Sequence, residues 1–511
     1  MSDKRKAWVK VLWTAAGVLM LLLLFAVVAH ISAKSGLDRY RARLAAAGEE
    51  LSLEKLIPPP VPEELNSASM FQEVITLLDS YPSNCLDTVS PPAMRMVVPG
   101  KAMIGWRQPD ARDFEVTVTW AEVELALDER AGAIDLLHRM SSRPCLAFEL
   151  DYHDGFRSLM RRLVYFKRLA QLLSAATVIE LSRSNVPAAI AHNQALYSIL
   201  NAWTNEPIVI SSLVRMACAA IGFNATWEIL QAPVVDDSAL AALQSNIERV
   251  DFIDAAEWSL IGERAFISMN AANLRGSNSP FSSMSLAAAM GAGAGGGNWY
   301  EELWDITRLR AKETLWKVAY SYTDELRALQ GCAVLINGVR SVRTNAPFVL
   351  VRDEIERELE ALGLSAGELF DVLSDNPADI DPRSFISSSI SSLNRTINRL
   401  MAVEAQRRLV ITAIALKRYQ QKHGQYPPEL SALVPDFLKE VPADPADGDP
   451  LRYRVEPDGG YTLYSVGENG TDEGGDPSPE PPSNSTAWQR GRDWVWPRRA
   501  TEAEVGVYWR R

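Results

Sequence analysis

Glu468, Asn469, Asp472, Glu473 and Asp476 crowd into one short glycine-bearing loop, and Asp493 follows further on. Oxygen donors at that density suit a hard cation, because calcium takes roughly six to eight oxygens from carboxylates, amides and backbone carbonyls. Ser465 through its carbonyl, Asn469, Asp472, Asp476 and Asp493 are therefore the expected ligands if the loop holds calcium. The spacing differs from the EF-hand pattern, and the competing reading of the same residues is a solvated acidic loop.

Other residues with chemical potential have simpler readings. His153 in Asp151-Tyr152-His153-Asp154-Gly155 fits an acid–base pair on paper, but the same residues make a turn and a helix cap. Ser52-Leu53-Glu54-Lys55 spells Ser-x-x-Lys without the companion motifs of the penicillin-binding class, so it reads as a helix start. Gly291 to Gly297 contains Gly-x-Gly-x-x-Gly, yet it follows an alanine-rich stretch and opens no βαβ unit, which leaves a flexible surface loop. Neither His-Glu-x-x-His nor a phosphate-binding loop occurs. Cys85, Cys145, Cys218 and Cys332 lack Cys-x-x-Cys spacing, and unpaired thiols are expected, although Cys85 and Cys145 sit in contexts that allow pairing. The sequence assigns no catalytic residue, and calcium is the one cofactor it brings forward.

The elements that must position the acidic loop come just before it. Ala405, Leu409, Ile411, Ala413, Ile414, Leu416 and Tyr419 recur at helical spacing, with Arg407, Arg408, Lys417, Arg418 and Lys422 largely on the wet side. Gly424 is able to close that helix in the left-handed conformation, and Pro427 and Pro428 prevent its continuation. Turns follow at Asp444-Pro445, Asp447-Gly448 and Asp449-Pro450. Then Leu451, Tyr453 and Val455 alternate with Arg452 and Arg454. Tyr461, Leu463 and Ser465 alternate with Thr462 and Tyr464 across an Asp458-Gly459-Gly460 turn, which is the pattern of a hairpin. Upstream, Ile386, Ile390, Leu393, Ile397 and Leu400 alternate gaps of four and three and run straight into the helix.

Gly424-Gln425-Tyr426-Pro427, Asp444-Pro445, Gly448 to Tyr453 and Tyr461 to Gly470 stand in the order found in the globular half of the type II secretion major pseudopilins. The stretch from about 405 to 476 resembles that module. The resemblance implies a long helix packed on a hairpin, ending in a loop that in the family can hold calcium. In the family the module lies directly behind the membrane helix, whereas here most of the chain intervenes and the N-terminal apolar run carries no acid.

That run, Val11 to Ala29, is interrupted only by Thr14 and Gly17, and Lys4, Arg5, Lys6 and Lys10 precede it. At about 1.5 Å per residue it covers nearly all of a hydrocarbon core about 30 Å thick. It reads as an uncleaved transmembrane anchor with Trp8 and Trp13 at the interface, its basic side in the cytoplasm and the bulk of the chain extracytoplasmic. The rival is a cleaved signal peptide, with Ile31-Ser32-Ala33 as cleavage site. A net charge of −12 argues against nucleic acid as a partner.

Between anchor and module the chain reads as helical. A juxtamembrane helix from Leu37 to Leu56 meets the stiff Pro58-Pro59-Pro60 spacer. Helices are expected over Glu63–Leu78, Trp120–Met140, Phe156–Leu181 and about 187–203, 207–230 and 237–250, with an irregular stretch over Tyr81–Arg112. Further helices are expected over Trp299–Val342 and Glu354–Leu373. The expected organisation is a cytoplasmic tail at 1–10, the anchor at 11–29, a spacer at 30–62, a helical body at 63–275, a flexible loop at 276–298, a helical continuation at 299–382, the long helix and hairpin module at 383–476, and a tail at 477–511. In that tail Asp493 to Pro497 is suited either to add an edge strand to the hairpin or to serve as a docking peptide. The fold class is mainly α: an N-terminal transmembrane helix, a body built as a helical bundle or irregular solenoid, and a small α+β pseudopilin-like C-terminal module. The function this favours is a non-enzymatic scaffold or accessory protein of an envelope or secretion-related assembly in the bacterial inner membrane, binding envelope proteins. An extracytoplasmic hydrolase using distant carboxylates and a small-ligand receptor are the competing classes.

Overall fold

The computed structural model describes residues 2–82, 84–88, 95–98, 100–106, 111–112, 117–149, 156–276, 310–364, 381–479, 491–508 and 510. The glycine-rich stretch from 277 to 298, the turn carrying His153, residues 299–309 and 365–380, and Trp488 and Trp509 lie outside them. Across the described residues the chain is mainly helical, with three small sheets. It divides into two compact units of interleaved segments. The first comprises Met1–Ile57, Leu260–Asn337 and Glu354–Arg395, and the second Pro58–Ser259, Gly338–Asp353 and Thr396–Arg511.

The first unit opens with a helix from Ser2 to Ala46, which takes in the apolar run and only the first half of the juxtamembrane helix expected over Leu37–Leu56. Alanine, leucine and arginine favour helix throughout this stretch, and the chain leaves it only where Gly48 adopts φ +78°. Along it the side chains of Trp13, Val18, Met20, Leu21, Leu24, Phe25, Val27, Val28 and Ile31 are each more than half exposed. Ser52 and Lys55 fall in a short turn where Ser52 Oγ donates to Glu54 and Lys55 pairs with Glu50, so the Ser-x-x-Lys spelling joins no serine to its lysine. Deeper in this unit Asp324 is fully buried. It accepts from Trp316 Nε1 at 2.9 Å, Ile386 N at 2.8 Å, and Ser387 N and Oγ at 3.1 and 2.6 Å. Its neighbour Glu325 is paired with Arg41 and Arg275, and two guanidinium groups make a second buried carboxylate tolerable.

In the second unit the helices Phe156–Ser182, Val186–Ala202 and Val209–Leu230 pack on one another. The last is apolar and long enough to cross a membrane, but most of its surface is buried by its neighbours and it carries the buried Arg215 and Glu228. It reads as a core helix. Arg162 and Glu206 form a buried two-pronged pair at 2.7 and 2.9 Å beside the stacked rings of Phe166 and Trp203. The helix expected over Trp120–Met140 is two helices, Trp120–Asp128 and Ala131–Ser141. Arg130 occupies the break with its side chain buried, donating to the carbonyls of Ala126 and Pro82. Part of the stretch expected to be irregular forms strands Arg95–Val98 and Ala102–Ile104, paired antiparallel. None of the four cysteines is joined in a disulfide.

The C-terminal end of the second unit follows its sequence signals. The helix Ser389–His423, which belongs to this unit from Thr396 on, ends at Gly424 with φ +79°. Strands Arg452–Val455 and Tyr461–Ser465 pair antiparallel, with Tyr453 opposite Leu463. The tail adds Trp494–Val495 beside Tyr464–Ser465 as a third strand. It then lays Arg498–Arg499 parallel to Ala102–Ile104 and ends in a helix, Glu502–Tyr508.

Candidate functional site

The acidic loop leaves the hairpin at Val466 and is held by a buried carboxylate. Asp444, with no exposed surface, accepts from Ala446 N at 3.0 Å, Ser465 Oγ at 2.7 Å and Val466 N at 2.8 Å. It therefore fixes the turn after the long helix and the end of the second strand at one point. Gly467 comes next with φ +70°, and a Cβ there would meet the Arg492 carbonyl at 2.5 Å, so only glycine lets loop and tail approach this closely. Arg352 Nη1 holds the Glu468 carbonyl at 2.7 Å, and Asn398 donates to the Glu468 carboxylate at 3.2 Å.

The expected ligands do not converge as one set. Ser465 turns its hydroxyl to Asp444. Asn469 uses its amide on Glu473 at 2.9 Å and its carbonyl oxygen on Thr471 N. Asp472 accepts from Tyr464 OH and Gly474 N, both at 2.9 Å, with Arg452 Nε 3.5 Å away; these contacts hold its carboxyl below the usual range, the Gly474 amide chief among them. Asp476 accepts from Ser478 N at 3.0 Å and is likewise lowered by Ser478. Arg452 lies among Asp444, Asp447, Asp449 and Asp472 and offsets part of their charge.

Asp493 differs. It is fully buried, and its Oδ2 accepts from Gly475 N at 2.7 Å and Asp476 N at 2.9 Å. Its Oδ1 has no hydrogen-bond partner among the described residues, and neither does the buried Oε2 of Glu473. Burial raises the Asp493 carboxyl above the ordinary range, backbone amides pull it down, and the Glu473 charge raises it again. Two carboxylates that repel each other, each with a buried oxygen lacking a donor, favour a cation or a proton between them. Among the described residues no group of three or more histidine, cysteine or acidic side chains is gathered to hold a metal. A calcium ion here would therefore take the rest of its oxygens from backbone carbonyls and water.

Two further sites escaped the sequence reading. His138 and His192, on the helices Ala131–Ser141 and Val186–Ala202, place Nε2 and Nδ1 2.8 Å apart, and burial lowers both, His192 to about 4. At neutral pH they form a neutral pair in which one ring donates to the other. Nothing local joins residues so far apart in the chain, so the pair was not readable from spacing. Glu228 lies fully buried on Val209–Leu230, its Oε2 accepting from Trp106 N at 3.0 Å and its Oε1 without a hydrogen-bond partner among the described residues. Burial pushes its carboxyl up to about 8. No family model, no curated protein and no solved structure matches the chain.

Proposed function

We propose that this chain is a membrane-anchored extracytoplasmic scaffold or accessory component of a bacterial envelope assembly, without catalytic activity of its own. The observation that carries the reading is the row of exposed apolar side chains from Trp13 to Ile31 on a helix led by basic residues. In water such a row is unfavourable, at about 25 cal/mol per Å² of apolar surface, and a bilayer removes that cost. The order of helix, Asp444 turn, hairpin and acidic loop in the C-terminal module supports the likeness to type II secretion major pseudopilins, a family built for assembly.

Deleting residues 1–31 is expected to move the protein from the membrane pellet to the soluble fraction, and a reporter fused behind residue 511 is expected to be active outside the cytoplasm. Reporter activity in the cytosol would overturn the compartment. Affinity capture from solubilised membranes should recover the same envelope proteins in repeated preparations, and recovery of this chain alone would count against the scaffold role.

The acidic loop is proposed to bind calcium through Asp493 and Glu473. In its absence the raised Asp493 favours the protonated form in the fold, so stability falls as pH rises from the unfolded carboxylate value through the raised folded one. Calcium should therefore raise the melting temperature at pH 7 and do little near pH 4. In Asp493→Asn the amide carbonyl keeps the Gly475 and Asp476 donors and the NH2 takes the place of Oδ1. This variant is expected to melt higher than the calcium-free parent at pH 7 and to lose the calcium response. An unchanged melt at millimolar calcium would remove the site.

A further inference from the structure

A cavity of about 730 Å³ opens in the second unit beside the hairpin, bounded by residues of the long C-terminal helix, the end of Val209–Leu230 and the tail. Its size falls within the range of pockets that enclose small ligands. One wall is aromatic: Tyr426 and Tyr461 meet edge to face at 4.8 Å, with Trp496 half-buried in the same lining. Leu230, Ala413 and Val495 supply buried apolar surface.

The charge of the lining is opposite to that of the chain. Five cations, Lys101, Lys417, Arg454, Arg498 and Arg499, face two acids, Glu456 and Asp458, in a protein of net charge −12. Three of the cations are engaged: Arg454 on Glu456 at 2.8 Å, Arg498 on Glu504 at 2.5 Å, and Lys417 on the Ala232 carbonyl at 2.9 Å. Lys101 and Arg499 are exposed, and their charges act on Asp476 and on the buried Glu228 respectively. Strand pairing puts both on the rim of this cavity: Arg498 N donates to the Lys101 carbonyl and Arg499 stands opposite Met103. An ammonium and a guanidinium lining one cavity suit a phosphate, to which arginine offers two parallel donors and lysine a point charge. The aromatic wall suits a ring stacked against it.

We propose that this cavity binds a small phosphate ester carrying a sugar or base, with Lys101 and Arg499 holding the phosphate and Trp496 with Tyr461 covering the ring. The assignment is independent of membrane anchoring. Titration calorimetry on the detergent-solubilised full chain would use glucose 1-phosphate, adenosine monophosphate, inorganic phosphate, glucose and adenosine. Binding of one or both esters is expected, with the unphosphorylated compounds silent; which ester binds separates sugar from base. Lys101→Glu and Arg499→Glu are each expected to weaken the ester about tenfold. Trp496→Ala should weaken the ester and leave inorganic phosphate unchanged. Both charge positions are exposed, so these variants should melt like the parent; if one does not, Arg499→Gln replaces it. Silence of both esters at millimolar concentration, or binding unaffected by the charge reversals, would overturn the proposal.

Discussion

Asp444→Ala is expected to destabilise the C-terminal module by on the order of 4 kcal/mol, because it strands several buried donors, each costing about 1 to 3 kcal/mol without an acceptor. The donors are Ala446 N, Ser465 Oγ and Val466 N, and they belong to the turn and to the strand that launches the acidic loop. Burial raises the Asp444 carboxyl above the ordinary range, against the pull of these hydrogen bonds. Asp444→Asn should be intermediate. Oδ1 serves Ala446 and Ser465 while Oδ2 serves Val466, and one amide oxygen is unable to do both. Hydrogen exchange at the Ala446 and Val466 amides, with urea unfolding, measures the effect. Protection unchanged in Asp444→Ala would show that the turn is held by something other than this carboxylate.

Glu228 should impose a steep pH dependence on stability. Its folded value of about 8 lies above the ordinary 4.5, so folding takes up a proton between those values. Stability is then fully present below about pH 4.5 and is lost as pH rises through 8, at up to about 1.4 kcal/mol per pH unit. Glu228→Gln keeps an acceptor for Trp106 N and places an amide where Oε1 lacks a partner, so it should flatten that slope and leave the variant the more stable protein at pH 8. Denaturant unfolding of parent and variant at pH 5, 7 and 8.5 tests this. Parallel pH profiles would mean that the carboxylate is already satisfied in the fold.

Much of the architecture was legible because it rests on signals within a few residues. Gly424 closes its helix as expected, the alternation around Gly459 forms the hairpin, and Asp493 to Pro497 supplies the added strand. Local signals failed where a distant partner decided. Nothing near Arg130 announces that its side chain is buried against the carbonyl of Pro82, and that contact sits at the break in an otherwise helical run. The acidic loop was visible as composition, but the separation of its members was not. Asp472 is drawn away by Tyr464 and Arg452.

Hydrophobic periodicity, breakers and the basic flank, all properties of neighbouring residues, determined the helical class, the hairpin and the proposed anchor. Tertiary structure alone decided that units are assembled from interleaved segments, that His138 meets His192, that Glu228 and Asp493 are buried, and that Lys101 and Arg499 border an aromatic cavity. Each of these depends on residues far apart in the chain meeting in space. Burial and charge environment follow from that meeting, and no window of sequence contains it.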